Sequence, residues 1–325
     1  MRLGIMSFAH MHSYGYAAAI GQLPGVELAG VADEEPDRGK QAAEQLNTRY
    51  FPSFDELLKA DLDGVIITSA NRDHRALTEM AAAAGKHILC EKPIATTLED
   101  AYAMEKAAKE AGIKFQMAFP CRFIPSVQRL KALYEEGRLG RLLAIRSTNH
   151  GKMPGGFFID PEAAGGGAVI DHTVHLADLV RWIFQTEFRE VYCEIDRRFH
   201  DIPTDDCGLL TLELDNGAFM TIDPSWSRPD SFYTWGDLYM HVVGTDMAAE
   251  VDLMRQSLER ITLDQPTYQW DFWGANMDYY LVKEFVGSIK EDREPSITAQ
   301  DGIRALEVVV AAYESARSGQ PVKLR

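Results

Sequence analysis

Lys92 is the residue around which chemistry can be built in this chain. It follows a short apolar strand, His87 to Cys90, that stops at Glu91-Lys92-Pro93. Proline has no N–H and fixes its own φ, so the strand cannot continue as an interior one, and Lys92 is pushed toward an extended conformation. A lysine at the carboxyl end of a parallel strand stands where open α/β sheets bind ligands. Farther along, Asp171 and His175 lie four residues apart in a helical stretch, hence on one face. An acid and an imidazole stacked on one helical face near a lysine can form a proton relay. A buried structural pair is the other reading. Two further histidines, His10 and His12, flank Met11. Such a pair can share a metal, but a catalytic zinc wants a third protein ligand. The local sequence offers none, so no metal is expected and the loop is read as lining a ligand.

Alternating strands and helices must position these groups. Leu3 to Met6, a helix from Tyr14 to Gln22 and Val26 to Ala32 form a βαβ unit of ordinary length. A dinucleotide-binding unit carries Gly-x-Gly-x-x-Gly after its first strand. Here Ser7, Phe8, Ala9, His10, Met11 and His12 stand instead. Ser7 and Ala9 are small enough to admit a phosphate, whereas His12 is a clear departure. Asp33, at the end of the second strand, can accept hydrogen bonds from a ribose. Glu34 and Glu35 beside it repel an extra 2′-phosphate, which favours NAD over NADP. The alternative is a solvated acidic cluster ahead of Pro36. Gly64 to Thr68 reads as a strand buried on both faces, and Ser69 to His74 leaves its carboxyl end. A helix ending at Ala111 and a strand from Lys114 to Ala118 complete a doubly wound parallel sheet.

The run from Gly85 to Ala95, Gly-Lys-His-Ile-Leu-Cys-Glu-Lys-Pro-Ile-Ala, resembles the signature of the glucose–fructose oxidoreductase / inositol dehydrogenase / MocA (Gfo/Idh/MocA) family. The stretch from Gly165 through Asp171 and His175 to Trp182 resembles its second signature, and the likeness extends over nearly the whole chain. It implies a Rossmann domain, residues 1–119, and an α+β domain with a large, mostly antiparallel open-faced sheet, residues 120–325. It implies that Glu91 and Lys92 lie beside the nicotinamide and that Lys92, Asp171 and His175 are catalytic. It places Thr68, Ser69, Asn71 and His74 against the cofactor, with Ala70 where the family has proline. Arg122 matches an arginine that faces the substrate, and His172 is within reach of it. Asn71 as a turn cap, Arg122 as a salt bridge between domains and His172 as a packing group are the competing readings.

Beyond Phe188 the texture is that of meandering strands, among them Cys207 to Leu214, Ala218 to Trp226 and Leu258 to Leu263. Such a sheet leaves one face free unless another subunit covers it, so a homodimer or homotetramer is expected. Two aromatic stretches, Trp226 to Trp235 and Tyr268 to Trp273, suit either sugar rings or an interface. The 325-residue chain carries a net charge of −16, which argues against nucleic acid or anionic membrane as a partner. Its scattered cysteines, Cys90, Cys121, Cys193 and Cys207, show no metal spacing and suit a reducing, cytoplasmic setting. With no signal at its start, and with this set of residues, the chain is expected to be an NAD-dependent dehydrogenase of a sugar, inositol or related polyol. His175 is the expected base, Lys92 the partner of the alkoxide, and Asp171 the residue holding both. An NAD-using glycosidase acting through a 3-keto intermediate and an inactive sugar-sensing protein are the alternatives.

Overall fold

The computed structural model describes residues 1–255, 257–260, 269–272 and 274–324. Its first half runs β1 (Arg2–Met6), α1 (His12–Gln22), β2 (Glu27–Ala32), α2 (Pro36–Gln45), β3 (Tyr50–Phe51), α3 (Phe54–Leu58), β4 (Gly64–Ile67), α4 (His74–Ala83), β5 (His87–Cys90), α5 (Leu98–Ala111) and β6 (Phe115–Met117). The six strands are all parallel, in the order β3-β2-β1-β4-β5-β6. Leu3, Ile5, Val65, Ile66, Ile67, Ile88 and Leu89 are fully buried, as continuous apolar strands are when helices cover both faces. The strand order reverses between β1 and β4, so the crevice at their carboxyl ends is the natural ligand site.

A single turn of 3₁₀ helix, Pro120–Phe123, leads into the second half. There follow α6 (Pro125–Glu135), β7 (Leu142–Gly151), α7 (Pro161–Ala164), α8 (Ala168–Phe184), β8 (Phe188–Asp196), β9 (Cys207–Leu214), β10 (Phe219–Ser225), β11 (Gly236–Gly244), β12 (Ala248–Asp252), β13 (Ser257–Arg260), β14 (Gln269–Phe272), α9 (Met277–Lys290), α10 (Ala299–Ser318) and β15 (Val322–Lys323). Seven of these strands form a sheet ordered β12-β11-β7-β10-β9-β8-β15, antiparallel at every pairing except β7 with β10. Helix α8 packs on one face. The other face leaves Leu209 and Phe219 more than half exposed. The strand expected from Leu258 to Leu263 is instead β13, paired with β14. Residues 261–263 of that expectation, and Tyr268 and Trp273 of the second aromatic stretch, lie outside the described residues. Helix α9 returns to pack on α1, and α10 on α5, so the last part of the chain also braces the first sheet. Gly15 permits the α1–α9 approach: a Cβ there would stand 2.6 Å from an Asp278 carboxylate oxygen. Among the described residues no helix is long and apolar enough to cross a membrane.

His150 on β7 ties three strands together. Its ring nitrogens face Asp223 on β10 at 3.2 Å and Asp237 on β11 at 3.5 Å. Burial opposes the charge, but the two carboxylates outweigh it and push the imidazole up to about 9. A folded-state value above the unfolded one of about 6.5 means stabilisation that is fully present below about pH 6.5 and lost as pH rises through 9. Chemical unfolding at pH 6 and pH 9.5 should show a loss of about 1–2 kcal/mol, allowing for solvent screening, that His150→Gln abolishes.

Candidate active site

The site is assembled where α8 begins against the carboxyl ends of β1 and β5. Gly165, Gly166 and Gly167 lead into α8 with φ of 82° and 158° at the first two. A Cβ on Gly167 would lie 1.9 Å from the Asp205 carbonyl oxygen, so only glycine fits. The Asp205 carboxylate accepts from the Gly167 and Val169 N–H groups at 2.9 and 2.8 Å, satisfying the open end of the helix. This fixes Asp171 in the first turn and His175 one turn on.

Lys92 reaches across from the other domain. The Lys92–Pro93 peptide is cis. Lys92 Nζ donates to Asp171 Oδ1 at 2.5 Å, and the ammonium is only 5% exposed. Trp226 Nε1 donates to Asp171 Oδ2 at 3.1 Å. Burial works against the Asp171 charge, but the Lys92 ammonium and His172 outweigh it and hold the carboxyl well below its usual range. His175 is buried with no partner for Nδ1, and burial together with Lys92 keeps it neutral, well below the ordinary imidazole range. A cavity of about 360 Å³ is bounded by these three residues, by His10, Met11 and His12, and by Lys152, Phe158, Asp230 and Trp235 among others.

Three expectations change here. Asp171 makes no hydrogen bond to His175; its second oxygen goes to Trp226 and faces His172 Nε2 at 3.3 Å. His172 donates from Nδ1 to the Asn149 carbonyl and lies behind Asp171, so it does not border the cavity. Arg122, expected to face the substrate, does not border the cavity either. It is 4% exposed, pairs with Asp178 through Nε at 2.8 Å and through Nη2, and reaches Asp301 at 3.0 Å. Both partners belong to the second domain, so it is not the interdomain bridge considered above.

The expected cofactor residues occupy the sheet end but are bonded among themselves. Ser7 holds φ 76°, a left-handed conformation costly for serine, with its hydroxyl donating to Glu34 and accepting from the Ala9 N–H. Thr68 Oγ1 donates to the Ser7 carbonyl, and Ser69 to that of Ala70. Asn71 ties to Ala164 of α7, and His74 to the Pro93 and Ile94 carbonyls, so these two shape the turns and do not line the cavity. Asp33 accepts from the Phe8 and Glu35 N–H groups and from Arg38.

Tyr16 carries no role in the sequence reading, and Trp226, read there as the start of an aromatic stretch for a sugar ring or an interface, is fully buried and bonds Asp171. Tyr16 donates to Glu91, which also accepts from the Lys92 N–H at 2.8 Å. Tyr16 stands one turn after His12 on α1, a spacing that could have linked them.

A dinucleotide fits this crevice at both ends. Asp33 stands at the carboxyl end of β2, where a ribose would lie, but its carboxylate is buried and must yield its bond to Arg38 to take one; the orphaned Nδ1 of His175 marks a ligand position beside Lys92. The middle differs, because Ser7, Ala9 and His12 stand at the three glycine positions and the His12 imidazole takes the last.

Comparison with known proteins gives the same architecture a family. Residues 3–119 match the model described as "Oxidoreductase family, NAD-binding Rossmann fold", and residues 127–250 match the "GFO/IDH/MocA C-terminal domain". The chain belongs to the Gfo/Idh/MocA oxidoreductase family. An uncharacterized oxidoreductase, YrbE, of Bacillus subtilis (strain 168) is 28% identical, over 94% of this chain and 91% of its own length. A myo-inositol 2-dehydrogenase of Thermotoga maritima is 26% identical over 100% of this chain and 98% of its own. The crystal structure of GenD2 from gentamicin A biosynthesis, in complex with NAD, superposes with a TM-score of 0.91 at 22% identity. It covers 100% of this chain and 96% of that one, a likeness of fold.

Proposed function

We propose that this oxidoreductase is an NAD-dependent dehydrogenase acting on a secondary alcohol of a sugar, inositol or related polyol. The observation that carries the reading is the buried Lys92–Asp171 pair and the unpartnered His175 on one cavity, at the carboxyl end of β5. The relatives named above share the fold and the family, and one is named for an inositol. Asp33 would hold the adenosine ribose, and the Ser7–His12 loop would face the phosphates. NAD, when bound, supplies the hydride acceptor. The Lys92 ammonium stands ready to stabilise the oxygen as it takes on negative charge. The neutral His175 can accept the hydroxyl proton, and Asp171 holds Lys92 in place through its carboxylate. Trp235, 41% exposed at the rim, offers an apolar face to a pyranose or cyclitol ring.

Arg38, the basic residue nearest Asp33, is engaged by Asp33, Glu34 and Glu35 together. No uncommitted cation therefore meets a 2′-phosphate there, and NAD should bind more tightly than NADP by at least about tenfold. Calorimetric titration with each nucleotide tests this, followed by a panel of polyols. Binding of neither nucleotide by folded, cofactor-free protein would overturn the reading in favour of a binding protein on this fold.

A further inference from the structure

The fold gives His10 and His12 the third ligand that their local sequence lacks. Glu91 projects from the end of β5, across the end of β4, to meet both imidazoles. One carboxylate oxygen lies 2.8 Å from His12 Nδ1, and the other lies 3.9 Å from His10 Nε2. One ligand atom from each of the three residues falls within 4.8 Å of the others. We propose that His10, His12 and Glu91 bind a divalent transition-metal ion such as zinc, with its open position facing the cavity that also holds Lys92, Asp171 and His175.

Three observations support the site. Two imidazoles and one carboxylate are a donor set that suits zinc and leaves a fourth position for a small ligand. His10 is 2% exposed, yet its Nε2 has no hydrogen-bond partner, an orphan that a ligand would satisfy. Finally, the carboxylate is already oriented: the Tyr16 hydroxyl and the Lys92 N–H both donate to it, the outer shell that ligating carboxylates commonly have. Phe158 packs edge-on against His10 at 5.1 Å and fixes its ring from behind.

Two adjustments accompany binding. Four-coordinate geometry with metal–ligand bonds of about 2.0–2.2 Å places ligand atoms about 3.3–3.6 Å apart, so a set spread within 4.8 Å must close by up to about an ångström or slightly more. His10 Nδ1 now accepts the His12 N–H at 3.2 Å, and the proton shared by His12 and Glu91 occupies the place of the ion. Ligation gives up that long contact and releases that proton in exchange for three metal–ligand bonds. The bound ion would then present its open position to an oxygen of the molecule in the cavity.

This site goes beyond the dehydrogenase reading and is tested without nucleotide or substrate. The whole chain, stripped with a chelator and dialysed, is titrated calorimetrically with zinc alone. Cobalt titration serves as a spectroscopic check, since visible bands of four-coordinate cobalt report the geometry. The expected result is one ion per chain, with affinity reduced at least about 100-fold in His10→Ala and Glu91→Gln and about tenfold in Tyr16→Phe. Zinc should raise the melting temperature of the wild type and not of the first two variants. Because His10 and Glu91 are buried, His12→Asn, at the partly exposed start of α1, provides a ligand variant that keeps the fold. Absence of saturable zinc binding by the wild type would overturn the proposal, as would full affinity in folded His10→Ala or His12→Asn. Either result would leave the cluster as an internal His12–Glu91 pair. Loss of nucleotide binding alone would leave the metal site standing, and loss of zinc binding alone would leave the dehydrogenase reading standing.

Discussion

Replacing Lys92 by alanine is expected to lower kcat by about 10²–10⁴-fold while changing NAD affinity by less than about threefold. The ammonium touches nothing on the Asp33 side of the crevice, so the adenosine half of the cofactor does not sense its loss. What it does touch is Asp171, at 2.5 Å, in a setting where the side chains are 5% and 13% exposed. A charge so placed acts through a low local dielectric, and stabilises a nascent alkoxide far more than an exposed lysine would. Lys92→Arg should not rescue activity, because the planar guanidinium cannot take the compact position beside Asp171. The measurements are steady-state rates on the preferred polyol and calorimetric NAD titration of the same preparations. Equal losses in turnover and in cofactor affinity would contradict the assignment, since they would place Lys92 on the nucleotide. Lys92→Met separates the charge from the bulk of the side chain. Activity near that of the wild type in this variant would show that the ammonium plays no part in the chemistry.

Local signals explain what could be read in the sequence. Pro93 stops β5 and Gly85 ends the helix before it, so the position of Lys92 at a strand exit was legible without any contact information. The Asp171–His175 spacing set both residues on one face of α8, and the glycines ahead of it announced a tight entry. The parallel character of the first sheet followed from continuous apolar runs such as Val65 to Ile67. What the spacing did not contain was the long-range pairing. Glu91 lies 79 residues from His12, and nothing local marks it as their partner. Trp226 could be noticed as aromatic, but its indole N–H on Asp171 depends on β10 ending beside α8. Asp33 was placed at the right strand end, yet its bonds to Phe8, Glu35 and Arg38 come from a loop conformation that composition does not encode. The return of α9 and α10 to pack on α1 and α5 is likewise a long-range pairing that no local pattern encodes.

Arg122 shows how a matching position can carry a different task, and it gives the second large effect. Its guanidinium is 4% exposed, chelated by Asp178 and joined by Asp301 and the Ser296 carbonyl. Burial opposes the charge, but Asp178 and Asp301 outweigh it and hold the guanidinium above its ordinary range. Trp182 covers it at 5.5 Å. Arg122→Ala therefore leaves two carboxylates facing one another in the interior, Asp178 being 1% exposed. Removing one member of such a network costs about 3–5 kcal/mol, because the remaining charge has no partner. Urea unfolding should show a fall of that size. The double change Arg122→Met with Asp178→Leu should recover much of it, since an apolar pair of similar volume carries no uncompensated charge. If Arg122 instead held the substrate, the single variant would keep its midpoint and raise KM. Measuring both the unfolding midpoint and KM on the folded fraction distinguishes the two, and the geometry predicts that the midpoint moves and KM does not.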